Sequence, residues 1–347
     1  MVSKSLPTRS EAVCTRQDDE MEAVGIDVSK KKLDVCWLRD ASTVKVKSRV
    51  FNNDEAGRRA LLDWLQKQTK RSPHELGVML EATSVYHEAV AYFLYEAGVR
   101  VHVANPHHVS EFGKSLGKRS KTDKKDSIVL ARFLDSRSHT EWVPEAEEVR
   151  YLKALLSRLH ALDTDIQREC NRQEKAEIQQ ASDQVLISIT KVLQALEGER
   201  KRLEQEIDDH FDDHPGLKSD RKLLESIPGI GRVISSELTA VLRSRNFENA
   251  GQAAAFVGLV PVERQSGTSV RGRPSLSKAG SGRLRAKLYM GAVVAIRFNE
   301  RIKAHYERLV AKGKSKMSAL GAAMRKLVQM AYGVLAHQTS YDPQWAR

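Results

Sequence analysis

Residues 23–38, AVGIDVSKKKLDVCWL, hold two short apolar runs, AVGIDV and LDVCWL, on either side of a basic turn. Val, Ile, Cys and Trp suit a half-buried sheet, so the pattern predicts strand–turn–strand. It also sets Asp27 inside a run bound for burial. An ionised carboxylate in that place needs a cation, a hydrogen-bond network or a metal.

Outward from this hairpin, residues 54–68 (DEAGRRALLDWLQKQ) carry apolar positions at helical spacing. LGVMLEA is strand-like and brings a second carboxylate, Glu81, to its end. A helical stretch over 86–97, an apolar run over 99–104 and the turn signal Asn105-Pro106 follow. Strands alternating with helices predict an α/β domain over 23–144. Between Pro144 and Pro215 there is no proline and one glycine, Gly198, which predicts long helices over 145–214. Leu152, Leu155, Leu159, Leu162 and Ile166 repeat helically, as do Ile189, Val192, Leu196, Leu203 and Ile207. Two antiparallel helices, an intermolecular coiled coil and ordinary bundle helices all fit. Residues 215–347 read as a mainly helical domain interrupted by a small, basic, loop-rich stretch.

Composition narrows the function. With 57 Lys+Arg against 45 Asp+Glu, the 347 residues carry a formal charge of +12, which points to a polyanionic partner. At 41% hydrophobic and 29% charged the chain can build cores, so wholesale disorder is excluded. No apolar run is long enough for a membrane-spanning helix. Residues 1–22 are polar and unpatterned, read as a flexible lead-in without a secretory signal. Cys14, Cys36 and Cys170 form neither a disulfide framework nor a zinc site. A soluble, cytosolic, nucleic-acid-binding protein is expected.

Asp123 and Asp126 lie three residues apart in KTDKKDSIVLARFL and share one face if a helix starts near Thr122. With Asp27 and Glu81 they could offer four oxygen donors to one or two hard divalent cations, Mg²⁺ foremost, that would orient a phosphodiester. Taken singly, each acid has an ordinary reading: a tight turn, an arginine partner, or a helix dipole. Around the pair stand Lys114, Lys118, Arg119, Lys121, Lys124 and Lys125, with only Glu111 and Asp123 acidic between 111 and 125. Such a basic loop suits phosphate.

Ile227-Pro228-Gly229-Ile230-Gly231 between two helices resembles a helix-hairpin-helix turn. Gly229 and Gly231 would let a DNA backbone approach, with amides holding phosphate. From Glu263 to Lys287 there are seven basic residues and one acid. Arg271, Arg273, Lys278 and Arg283 are candidates for nucleic-acid contact. The same loop holds Ser266, Ser269, Ser275, Ser277 and Ser281, any of which phosphate could reach, and chemistry alone selects none of them.

Jointly, GIDVSKKKLDV, LEATSVYHEAVAYFLYEAGVRVHVANP, KRSKTDKKDSIVLARF, LLESIPGIG, AAAFVGLVP and SGTSVRGRPSLSKAG resemble the DEDD transposases of the IS110 type, guided recombinases of bacterial insertion sequences. The resemblance runs from Ala23 to about Ala336. It implies a RuvC-like domain of ribonuclease-H fold, a helical coiled-coil segment and a C-terminal transposase domain. It assigns Asp27, Glu81, Asp123 and Asp126 to Mg²⁺ and singles out Ser266 as the nucleophile joined to DNA. It further implies donor and target DNA, a non-coding bridge RNA, dimers assembling into tetramers, a Holliday-junction intermediate and action at the bacterial nucleoid. Rival readings are a junction nuclease that uses the acids and water alone, a site-specific invertase, and a non-enzymatic nucleic-acid scaffold.

Overall fold

The computed structural model describes residues 21–82, 84–116, 123–262, 265–266, 270–271, 275–278 and 280–344; for 84, 123–125, 265–266 and 270–271 it describes the backbone alone. Two compact units result, one ending at Pro144 and the other beginning at Glu145.

In the first unit, β1 (Glu22–Val28) and β2 (Lys32–Asp40) form the expected hairpin, closed by Ser29, whose hydroxyl accepts from the Lys32 N–H at 3.1 Å. An edge strand, β3 (Lys45–Asn52), pairs antiparallel with β2. Asp54 caps α1 (Glu55–Thr69), its carboxylate accepting from the Gly57 N–H at 2.7 Å. Next come β4 (Leu76–Glu81), α2 (Glu88–Glu96), β5 (Arg100–Ala104), α3 (Pro106–Ser115) and α4 (Asp123–Ser136). The sheet order is β3-β2-β1-β4-β5, with β4 parallel to both β1 and β5.

Strand alternation splits this core in two. Val24, Ile26 and Val28 pack with Leu61, Trp64, Leu65, Val90 and Leu94 of α1 and α2. Ala23, Met79 and Ala104 pack on the other face with Leu130, Ala131 and Leu134 of α4. Each such aliphatic side chain contributes about 1.5–3 kcal/mol by leaving water.

Three sequence expectations change here. β3 escapes the strand pattern because KVKSRVFN is charged and largely exposed, as a protected edge strand is. Asn105-Pro106 starts a helix: the Asn105 side chain caps α3 by accepting from the His107 N–H at 2.9 Å, and proline sits at its first turn. The expected basic loop therefore begins as helix, and Lys114 pairs with Glu111 at 2.7 Å.

In the second unit, α5 (Glu147–Ile178) and α6 (Asp183–Asp213) pack antiparallel within one chain. Leu152, Leu155 and Leu156 near the start of α5 share a core with Leu203, Ile207 and Phe211 near the end of α6. α7 (Pro215–Glu225), α8 (Arg232–Arg243) and α9 (Ala250–Phe256) follow. Leu217 and Ala240 belong to the same core as α5 and α6, so the long pair and the later helices share one unit. Four two-residue strands, β6 (Pro261–Val262), β7 (Gln265–Ser266), β8 (Val270–Arg271) and β9 (Ser275–Leu276), lead to α10 (Gly282–Phe298), α11 (Glu300–Ala311) and α12 (Lys316–His337). α12 supplies much of the second core through Ala323, Leu327, Ala331 and Val334, and no described helix is long and apolar enough to cross a membrane.

Candidate active site

Asp27 is the penultimate residue of β1 and Glu81 the last of β4. These strands run parallel, so both carboxylates stand at the carboxyl ends of neighbouring strands, where open α/β sheets place their ligands. Their register follows from the Ile26–Leu80 pair: one step further, Asp27 and Glu81 are lateral neighbours. Side chains two residues apart share a face. Asp27 therefore faces as Gly25 does, and Glu81 as Met79 does, toward the layer built by α4.

Gly25 explains how α4 reaches this strand. A Cβ at Gly25 would lie 2.1 Å from the Ser127 carbonyl oxygen and 2.4 Å from the Ala131 nitrogen. Only glycine admits that contact, and it fixes the opening turns of α4 against β1, two residues from Asp27. Asp126 directly precedes Ser127, which is 1% exposed. Asp123 begins the same helix, one turn before Asp126, with its side chain outside the description. Asp27, Glu81 and Asp126 are all half-buried.

One acid escapes the sequence reading. Asp34 on β2 is the cross-strand partner of Asp27 and faces the α4 layer with Cys36 and Leu38. The hairpin register was the signal that could have found it.

A set of carboxylates has the chemistry for a hard cation with oxygen ligands. Among the described residues no three His, Cys, Asp or Glu side chains already stand close enough to hold an ion.

Ser266 lies in the second unit. The expected loop proves to be a β-arm: Pro261 pairs with Leu276, Val262 with Ser275, Gln265 with Arg271 and Ser266 with Val270. Ser266 occupies the second of the two paired positions of β7, opposite Val270. At the arm's base, the Ser277 N–H donates to the Val260 carbonyl at 2.9 Å. Gly280 (φ +74°) could carry no side chain, because a Cβ would meet the Phe256 carbonyl at 2.2 Å. The Arg285 guanidinium donates to the carbonyls of Val257 at 3.1 Å and Gly280 at 3.2 Å, tying the arm to the end of α9.

The remaining candidates divide. Gly229 (φ +104°) is spent on packing: a Cβ there would lie 2.7 Å from the Gly291 carbonyl and the Ala295 Cβ of α10, so its bareness serves helix contact. Gly231, at the start of α8, faces open space. Lys278 is exposed in a left-handed conformation (φ +55°). Arg283 donates to the Thr164 hydroxyl at 3.3 Å, joining α10 to α5. Lys118, Arg119, Lys121 and Arg273 lie outside the described residues; Lys124 and Arg271 are described by backbone alone.

Comparison with known proteins adds the following. Residues 24–177 match the family model DEDD_Tnp_IS110, described as a transposase, and residues 221–307 match that of the transposase IS116/IS110/IS902 family. The chain is 29% identical over 325 residues to the pilin gene-inverting protein of Moraxella bovis, covering 92% of this chain and 97% of that protein. It is 27% identical over 161 residues to the insertion element IS110 uncharacterized 43.6 kDa protein of Streptomyces coelicolor, covering 46% and 38% respectively. Among solved structures, T. thermophilus RuvC in complex with a Holliday junction substrate matches at TM-score 0.27 and 12% identity, over 35% of this chain and 99% of that one.

Proposed function

Because this chain belongs to the IS110 family of DEDD transposases, which cleave and rejoin DNA, we propose that it moves an insertion sequence by serine-linked strand exchange guided by a non-coding bridge RNA. The observation that supports the reading is the neighbouring placement of Asp27 and Glu81 at the strand ends, on the sheet face against which α4 packs.

In this reading the first unit is RuvC-like, and Asp27, Glu81, Asp123 and Asp126 hold divalent cations of the Mg²⁺ class. A cation held by these carboxylates would supply Lewis-acid polarisation of the scissile phosphodiester and charge stabilisation for the departing oxygen. The Ser266 hydroxyl attacks phosphorus as the bond to the DNA 3′ oxygen breaks. Its proton leaves as the 3′ hydroxyl is made. One phosphoester replaces another, so religation by an incoming 3′ hydroxyl needs no nucleotide cofactor. Hydrolysis would forfeit that bond and leave broken ends. The arm's clamp at Arg285 and Gly280 supports delivery of Ser266 as a positioned nucleophile.

In this reading the strand pairs are exchanged in turn through a Holliday junction, by a dimer that assembles into a tetramer on donor and target duplexes in the bacterial cytoplasm, at the nucleoid. Exposed Ile178, Val185, Ile187 and Val192 at the far end of the α5–α6 pair suit contact with a second copy. The test is recombination in vitro between donor and target plasmids, with and without RNA transcribed from the element's non-coding flank. Joined products that need both the RNA and Mg²⁺ support the reading; joined products without RNA remove the guide.

A second reading, site-specific inversion, is favoured by the near full-length likeness to the pilin gene-inverting protein. It uses the same chemistry on two inversely oriented sites in one molecule, and the same assay scores it by product topology.

A further inference from the structure

Between α11, α12 and the segment after α12 lies a cavity of about 430 Å³ that none of the catalytic residues touches. One wall carries Arg301 and Lys326; Met330 and Val334 supply an apolar surface, Tyr341 an aromatic one, and Gln329 and His337 add hydrogen-bonding groups. Tyr341 is held from two sides. Its backbone N–H donates to the Ser226 hydroxyl at 2.8 Å, and its own hydroxyl to the Asn299 side-chain oxygen at 3.0 Å. A ring held in this way needs little ordering when a ligand arrives.

Among the described residues lining this pocket, the cationic side chains Arg301 and Lys326 outnumber the carboxylates. Burial pushes the Lys326 ammonium below its ordinary pKa, and the neighbouring guanidinium groups of Arg301 and Arg308 push it the same way. His305, facing the same groups, is also lowered, by burial and then by Arg308 and Lys326. The only carboxylate among the described lining residues is Asp342, which accepts the Gln344 N–H at 2.7 Å. An anion would relieve this repulsion.

We propose that this cavity binds one unpaired nucleotide of the nucleic-acid substrate, its phosphate between Arg301 and Lys326 and its base against Tyr341, Met330 and Val334. The inference rests on the transposase reading and adds to it a site for single-stranded character. Size and shape exclude the alternative of a duplex face: the volume suits a single small group, and a stacked helix would meet only the rim. RNA and DNA share this chemistry, and the experiment separates them.

Gly333 provides a clean probe. It lines the cavity from α12, and a Cβ there meets nothing within 4 Å. Gly333→Leu therefore starts its side chain from open space on the cavity wall, narrows the cavity and replaces a poor helix former by a good one. The full-length protein, wild type and Gly333→Leu, is titrated by fluorescence anisotropy with single-stranded RNA, single-stranded DNA of the same sequence and a blunt DNA duplex. Lys326→Gln and Lys326→Arg are titrated alongside, and thermal melting is recorded for each.

The expected result is about a tenfold loss of single-strand affinity in Gly333→Leu and Lys326→Gln. Lys326→Arg retains binding, duplex affinity holds within about twofold, and melting temperature does not fall. Loss confined to the RNA assigns the pocket to the guide, and loss confined to single-stranded DNA assigns it to the opened target. Equal loss on the duplex, or no loss on either single strand, overturns the proposal. Strand exchange is assayed on the same preparations. Selective loss of binding with no exchange by the wild type would sink the transposase reading and leave the pocket standing; normal exchange and normal single-strand binding by Gly333→Leu would do the reverse.

Discussion

Asp27 stands one register step beyond the Ile26–Leu80 pair, which makes Glu81 its lateral neighbour across the parallel β1–β4 ladder. Two carboxylates side by side repel unless something positive lies between them. The sheet thus sets two carboxylates side by side at its strand ends, where the proposed cation would bind.

Removing either charge should stop the chemistry and spare the fold. Asp27→Asn and Glu81→Gln are each expected to lower strand cleavage by at least about a hundredfold, with DNA binding and melting temperature retained. Single-turnover cleavage on a labelled junction, followed by a thermal melt, measures both.

Gly25 should tolerate nothing larger. In Gly25→Val the new side chain would run into the Ser127 carbonyl and the Ala131 nitrogen, forcing α4 off β1. A loss of about 2–3 kcal/mol in urea unfolding is expected, together with loss of cleavage, since Asp126 rides on the same helix. Unchanged stability would show that α4 does not make this contact.

Those two sites show how unevenly the molecule is written into its sequence. The hairpin, the acid pair and the long α5–α6 helices are legible because apolar spacing reports burial directly. β3 is hidden, since a charged edge strand such as KVKSRVFN buries too little to show a period. Asp34 and Gly25 matter through what lies across the sheet from them, a tertiary relation with no local mark. PGIG reads as a turn open to DNA, yet Gly229 meets α10, whose glycine at 291 lies 62 positions further along the chain. Ser266 is one of several serines in its stretch; only the family resemblance distinguishes it, and the arm's ladder becomes visible only when the strands are paired.

Acid should loosen the first unit through His102. This side chain is 3% exposed on β5; Nδ1 lies 3.1 Å from the Thr140 carbonyl, and Nε2 has no partner among the described residues. Burial holds its pKa below the ordinary 6.5, and the nearby His139 is shifted the same way by burial. The folded state favours neutral imidazole, so between the two pKa values the unfolded chain binds more protons and stability rises with pH. Stability is therefore full above about pH 6.5 and declines below it. Urea midpoints across this range should show that slope, and His102→Phe should flatten it.

Arg285 should matter as a positioning residue for the arm. Arg285→Met removes the guanidinium that grips the Val257 and Gly280 carbonyls and keeps most of the side-chain bulk. Strand exchange is expected to fall by about ten- to a hundredfold as the nucleophile loses its placement, with duplex binding unchanged. Rate and binding measured on one preparation separate this from general misfolding.

The most direct measurement of the account is a covalent capture. A nicked suicide substrate lets the cleaved strand end drift away, so an enzyme that uses Ser266 becomes trapped on DNA. On a denaturing gel the wild type should give a protein–DNA adduct in Mg²⁺, mapped by peptide mass to Ser266, and none in EDTA or in Ser266→Ala. Free 5′ phosphates without an adduct, or an undiminished adduct in Ser266→Ala, would contradict it.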